Sequence, residues 1–309
     1  MNTSLQEINS FIQTAVQGIP LIDDALQKLL YYAEKGATCT CKGQNPDTNG
    51  QERKSYNLGQ DVFYQYLQFT TAPLSDSSPG DIVVITDDGH VACLNHVNAS
   101  MKIYDTDGSH VGTIPLERES WDMTVVNNSA VAVTLPDFCC IDIFDIHNEQ
   151  IVKSIQLTTM CFGITTLKNT LVVGCDRRTL IIDPQTTKVE NTIDTGDYSP
   201  TRLCCFNGDI FYTVGTQCHD LFHYSHFNKN ISKVQLPSRS LSMTTLQDGS
   251  VYVICDDSSV QHVSSDGKKY KRVTTKGLRS LGSTGGINYN PEQKKLVVTG
   301  DSITVFNEY

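Results

Sequence analysis

Six short apolar runs recur at a near-constant interval, and that interval constrains the fold more than any other feature of the chain. The runs are Val91–Leu94, Val131–Thr134, Leu171–Gly174, Ile210–Thr213, Val251–Ile254 and Leu296–Thr299. Their first residues lie 40, 40, 39, 41 and 45 positions apart. Each run is rich in Val, Ile, Leu and aromatics, the residues that suit a pleated, buried surface. A fixed period of this length marks a repeat architecture, because one unit cannot cover its own apolar faces and must stack on its neighbours.

Each unit has the same internal order. A first run precedes the core, as in Ile82–Ile85, Trp121–Val126 and Arg202–Phe206, and a third follows it, as in Met101–Tyr104 and Leu221–Tyr224. A fourth run is readable in the first five units, for example Val111–Ile114 and Tyr270–Val273. Asp107-Gly108, Asn207-Gly208, Asp248-Gly249 and Asp266-Gly267 supply the positive φ that tight hairpins need. Four antiparallel strands per unit of about 40 residues predict an all-β fold, a β-propeller of six blades. A sandwich predicts no such period. The sixth unit ends at Tyr309, directly after its third strand, so a fourth must come from elsewhere. Asp61–Thr70 is the expected donor, and closure this way removes an exposed sheet edge.

Residues 1–36 carry a different period. Leu5, Ile8, Ile12, Ala15, Ile19, Ile22, Leu26 and Leu29 alternate spacings of three and four, the a/d seam of a short helical coiled coil. Ser4 and Glu7 form a capping box, and Pro20 divides the helix. The seam serves either an amphipathic helix packed on the propeller or a homodimer through Leu5–Leu29, and the second reading is preferred. Residues 37–56 are polar and read as a flexible linker, leaving 57–309 for the propeller.

Composition excludes several classes. A net charge of −10 disfavours non-specific binding to nucleic acid or anionic membrane. Met1–Glu7 has no basic start, and no apolar run reaches 18 residues, so neither a secretory signal nor a membrane span is expected. Eleven cysteines, an odd count, with Cys93, Cys175 and Cys255 on strands, fit buried thiols in a cytoplasmic protein.

The stretch Leu94-Asn95-His96-Val97-Asn98-Ala99-Ser100-Met101-Lys102-Ile103-Tyr104-Asp105-Thr106-Asp107-Gly108 resembles the NHL repeat, in which an Asn follows the second strand and an apolar third strand runs into Asp-Gly. Heptads, a polar linker and an NHL-like ring together resemble the C-terminal half of tripartite-motif (TRIM) proteins. That resemblance implies a propeller that selects a protein or RNA target for a RING-bearing ubiquitin ligase. This sequence has no RING or B-box cysteine/histidine series. The expectation is therefore an adaptor or substrate-recognition part, a ligase only if a RING lies upstream.

No catalytic constellation, metal site or cofactor site is read. Cys39 and Cys41 lack further ligands nearby, and His219 and His223 on one strand stand about 13 Å apart at ~3.3 Å per residue. They read as edge-strand histidines. Asp122, Asp137, Asp176, Asp197 and Asp301 approach one face, as the carboxylates of a calcium-dependent propeller hydrolase would, but repeat at no fixed blade position.

Arginine placement carries the site prediction. Loops joining strand four to the next strand one, and strand two to strand three, emerge on one face. Arg118, Arg177, Arg178, Arg202, Arg239 and Arg279 fall there, six of eight arginines, with Lys276 alone among sixteen lysines. Trp121, Phe138 and Tyr198 join them. Arginine forks with aromatics mark protein-binding hot spots, so this face is the expected site for a protein partner. Single-stranded RNA is the alternative, and it needs a positive surface. Lys268, Lys269, Lys271 and Arg272 form a second basic group on the outer hairpin of blade five.

Overall fold

The computed structural model describes residues 54–69, 82–95, 99–105, 107–127, 129–215, 218–275, 277–278, 285–300 and 302–309. The Leu5–Leu29 heptads and the linker up to Arg53 lie outside them, as do Lys276, Arg279 and Asp301. Lys54–Tyr309 is one compact unit.

Six four-stranded antiparallel sheets make up the described residues. Blade one is Ile82–Ile85, Val91–Asn95, Ser100–Tyr104 and His110–Pro115; blade two is Met123–Asn127, Ala130–Leu135, Cys140–Asp145 and Gln150–Gln156. Blade three is Cys161–Leu167, Thr170–Cys175, Arg178–Ile182 and Val189–Asp194; blade four is Pro200–Phe206, Asp209–Val214, Asp220–Tyr224 and Ile231–Gln235. Blade five is Ser240–Thr245, Val251–Cys255, Val260–Val263 and Tyr270–Arg272. Blade six is Ile287–Asn290, Lys295–Thr299 and Ile303–Glu308, completed by Phe63–Phe69. The first strands pack side by side in sequence order, and that of blade six returns to that of blade one. The ring is closed.

The burial gradient follows from this order. Second strands are covered on both faces by adjacent blades, and every residue of Val91–Asn95, Ala130–Leu135 and Val251–Cys255 is buried. Such strands read as unbroken apolar runs. Outer strands meet solvent, and Val189–Asp194 buries a single residue, Ile193. The core is six clusters, one per blade junction. At the last junction Val297, Ile303 and Val305 of blade six pack on Val83, Ile85 and Val91 of blade one.

First strands pair on one edge only, so their axial N–H and C=O groups need other partners. Short polar side chains of the preceding blade around the ring supply them. Asp122 Oδ2 accepts from the Ile164 N–H at 3.0 Å, and Thr134 Oγ1 donates to the Phe162 carbonyl at 2.6 Å. Thr244 Oγ1 accepts from the Tyr289 N–H at 2.9 Å, and Asn288 Oδ1 from the Ile85 N–H at 3.1 Å.

The expected closing strand is present. Phe63 pairs with Glu308 and Phe69 with Ile303, with a register shift between Gln65 and Leu67. Lys54 Nζ at 2.8 Å and Tyr56 Oη at 2.7 Å both donate to Glu308, as does Tyr289 Oη. These donors outweigh the burial that would raise the Glu308 carboxyl, and hold it below the usual range.

One expectation is corrected. His223 is no edge-strand histidine: it is buried on the third strand of blade four, stacked 4.5 Å from the Phe211 ring. Third strands here are covered by the neighbouring blade. The nine described cysteines are free thiols, seven of them buried. Among the described residues no helix is long and apolar enough to cross a membrane.

Candidate functional site

The face where the first strands begin carries the loops named above, and there the predicted arginines divide into three kinds. Arg202 points into the axis. Its Nε donates to the Leu241 carbonyl at 3.3 Å and one terminal nitrogen to the Trp121 carbonyl at 3.2 Å. Arg118 lies over the Phe138 ring, 4.3 Å from its centroid, and Arg239 pairs with Asp256 at 3.4 Å. Arg177 and Arg178 are exposed, Arg177 standing 3.7 Å from Asp197. The sequence does not distinguish an axial strut such as Arg202 from a surface cation such as Arg177.

The axial cavity holds ≈ 350 Å³ and is lined by the first strands of all six blades. Trp121 precedes the first strand of blade two, and its Nε1 donates to the Thr201 carbonyl at 3.0 Å. The indole also meets the Phe162 ring edge-on at 5.6 Å. Next to it in sequence is buried Asp122. Burial pushes its carboxyl up to about 6, against the opposing pull of the Arg202 guanidinium and the backbone N–H groups of Ile164 and Met123. Every oxygen of this carboxylate has a structural bond: Oδ1 to the Met123 N–H and Oδ2 to the Ile164 N–H. Among the described residues, Asp137, Asp176 and Asp197 of the hydrolase reading do not line this cavity. Asp137 sits in the exposed 3-10 turn Pro136–Phe138, and Asp176 and Asp197 lie between blades three and four.

Between those two blades, on the same face, is a groove of ≈ 470 Å³. Met160, Phe162, Tyr198 and Val214 form its apolar wall, and Asp176 and Asp197 its acidic lip. Met160 is 42% exposed and Tyr198 45% exposed. Tyr198 is braced by the Phe222 ring at 4.9 Å, while its carbonyl accepts from Thr195 Oγ1 at 2.6 Å. Ser199 Oγ donates to Asp176 at 3.1 Å, fixing the lip. Of the predicted residues, Tyr198 lines this groove, Arg177 meets its lip at Asp197, and Trp121 touches its wall at Phe162. Arg118 and Phe138 form a separate pair on blade two. Met160 and Phe162 were not singled out from the sequence. Their signal was available: Met160 sits in the loop before blade three as Tyr198 sits in the loop before blade four.

No family model matches the chain, and no curated protein matches it in sequence. Solved structures do share its fold. A catalytically inactive variant of virginiamycin B lyase from Staphylococcus aureus with quinupristin aligns with a TM-score of 0.57 at 12% identity, covering 79% of this chain and 99% of that one. The selenomethionine-substituted form of that lyase gives 0.56 at the same identity and coverage. A chain of the mitotic checkpoint complex also gives 0.56, at 10% identity, covering 88% of this chain and 99% of that one. At such identities the likeness is one of fold, the β-propeller.

Proposed function

We propose that the propeller is a non-enzymatic interaction module that binds a protein segment on the face where its first strands begin. The observation that carries this reading is the groove formed by Met160, Phe162 and Tyr198. Single exposed apolar side chains are ordinary, but aromatics converging on a braced concavity mark an anchor pocket. The occupant is a short peptide with one apolar side chain in the groove, its flanks read by Arg177, Arg178, Asp176 and Asp197. A propeller often serves as such a platform, and a mitotic checkpoint complex is among the assemblies with a chain of this fold. Asp176 and Asp197 on the lip count against a phosphate backbone, so RNA is the weaker alternative. The hydrolase reading is weaker still, because both oxygens of Asp122 are engaged by backbone.

The finer reading is a cytoplasmic adaptor or substrate-recognition part of a TRIM-like ubiquitin ligase system. It rests on the NHL-like stretch Leu94–Gly108 and on the heptads Leu5–Leu29, which would supply valency by dimerisation.

Peptide display against the whole chain tests the central claim. Selected peptides should lose at least about tenfold in affinity on Met160→Ala/Tyr198→Ala and nothing on Phe227→Ser, an exposed position on the opposite face. Peptides indifferent to the groove variant would sink it. Steeply salt-dependent binding of oligoribonucleotides, with no peptide selected, would favour RNA.

A further inference from the structure

The opposite face carries a second cluster, unrelated to the groove. We infer that Asp88, His90 and His147 bind one divalent ion of the zinc class at the junction of blades one and two.

The argument starts from two turns. Asp88 and His90 belong to the hairpin between the first two strands of blade one, where the Thr86 N–H donates to the His90 carbonyl and the Gly89 N–H to the Thr86 carbonyl, each at 2.9 Å. Gly89, at φ 97°, supplies the left-handed step. His147 belongs to the hairpin between the last two strands of blade two. There Asp145 Oδ1 accepts from the His147 N–H at 3.0 Å and the Asn148 N–H at 3.2 Å. Turns of these two kinds emerge on the same face, and neighbouring blades bring them together. Both are held by their own hydrogen bonds, so the three side chains are presented from prepared backbone.

The donor atoms converge. His147 Nε2 lies 2.9 Å from Asp88 Oδ2, and His90 Nδ1 lies 3.1 Å from Asp88 Oδ1. All three ligand atoms fall within 4.8 Å of one another. In a tetrahedral site with bonds of about 2.0–2.1 Å, ligand atoms stand roughly 3.3 Å apart, so little movement is needed. The imidazoles meet at 81° with centroids 5.1 Å apart, an edge-to-face arrangement that leaves room between their nitrogens. His90 Nδ1 is shut off from solvent and, despite its nearness to Asp88, lacks the alignment of a hydrogen bond. A buried ring nitrogen without a hydrogen bond is uncommon, and a metal ion would occupy it.

Two imidazoles and one carboxylate suit zinc and its borderline neighbours, whereas calcium and magnesium favour oxygen alone. Three protein ligands leave a fourth position, and His147 at 46% exposure opens it to solvent. Water would fill that position in the isolated protein. The ion would join blade one to blade two, adding folded-state stability that depends on its concentration.

The test is isothermal titration of Zn²⁺ into the full chain, with Cys39→Ser/Cys41→Ser in every protein to remove that thiol pair. One ion per chain should bind with a micromolar or tighter constant, and His147→Ala and Asp88→Asn should each weaken it by at least about tenfold. Zn²⁺ should raise the melting temperature of the parent and leave that of His147→Ala unmoved. His147 is exposed, so this variant should melt with the parent in chelator. Co²⁺ should give visible d–d bands without a thiolate charge-transfer band. Binding that survives both substitutions, thiolate bands, or no stoichiometric binding would overturn the site and leave only the His147–Asp88 hydrogen bond between the two turns.

Discussion

Arg202 donates across the propeller axis to the main-chain carbonyl of Trp121 at 3.2 Å, with its guanidinium carbon 5.5 Å from the centroid of the indole. The two residues belong to blades four and two, which are not neighbours. Trp121 answers through its Nε1 bond to the Thr201 carbonyl. Together they tie the ring across its open middle, where first strands have no ladder partner. The arginine that looked like a surface hot spot is thus a strut whose charge also faces buried Asp122.

Arg202→Ala should therefore cost about 2–4 kcal/mol, since it leaves the Trp121 and Leu241 carbonyls unpaired and removes the counter-charge of Asp122. Arg202→Lys should recover only part, because one ammonium cannot span both carbonyls. Trp121 is the single tryptophan of the chain, so fluorescence reads this site directly, and its emission should shift to the red in Arg202→Ala. A lysine variant equal to the parent in urea midpoint and emission would refute the strut.

Asp122 sets a pH dependence of definite sign. Its carboxyl titrates near 3.8 when unfolded and at about 6 in the fold, because burial disfavours the anion. Between these values the folded protein holds a proton that the unfolded chain has released. This group's stabilising contribution is therefore full below about pH 4 and lost as pH rises through about 6. The difference corresponds to about 3 kcal/mol at ~1.4 kcal/mol per unit. Asp122→Asn does not titrate, so its stability relative to the parent should rise with pH across that window. Urea unfolding of both proteins at several pH values checks this; a constant difference would show that the carboxyl is not perturbed.

Much of this was legible in the sequence, and the reasons are physical. Second strands buried on both faces must be apolar throughout, so Val91–Asn95 and its five counterparts announce the blade count. Asp-Gly and Asn-Gly turns phase the strands between them. The donor strand near Phe63 is visible because the sixth unit lacks a partner. Side-chain direction is not legible in this way. Whether Arg202 points to solvent or to the axis depends on the turn of its strand relative to blade two, which no local pattern encodes. The groove escaped notice because Met160 and Tyr198 share a blade position but not a residue type. His147 lies 59 residues after Asp88, and only the phase of the repeat puts their turns on one face.

The seam between blades three and four depends on missing side chains. A Cβ on Gly174 would stand 2.2 Å from the Pro200 carbonyl oxygen, and one on Gly163 would stand 2.9 Å from the Arg202 Cα. Both obstacles are backbone, so the first strand of blade four must move. Gly174→Ala should cost about 1–3 kcal/mol and lower affinity at the adjacent groove, whose wall includes Val214. Gly196 has open space and φ +69°, so Gly196→Ala should cost only the left-handed penalty of about 1–2 kcal/mol. Groove binding should stay intact in that variant. Melting curves and peptide affinity measured together separate the two; loss of affinity in Gly196→Ala alone would contradict the packing account.

Ring closure rests on one inward-facing side of the donor strand. Phe63 is 1% exposed and meets Tyr252 and Tyr289 edge-on at 5.8 and 5.5 Å. Tyr66, at the register shift of the same strand, is 58% exposed. Phe63→Ala should therefore cost about 3–5 kcal/mol, and Tyr66→Ala within about 0.5 kcal/mol. Hydrogen exchange localises the effect. In Phe63→Ala the amides of Ile303–Glu308 that pair with the donor strand should lose protection before those of Lys295–Thr299, which keep their neighbours on both sides. Uniform loss across blade six would mean that the strand is dispensable for closure and that Phe63 acts only as core.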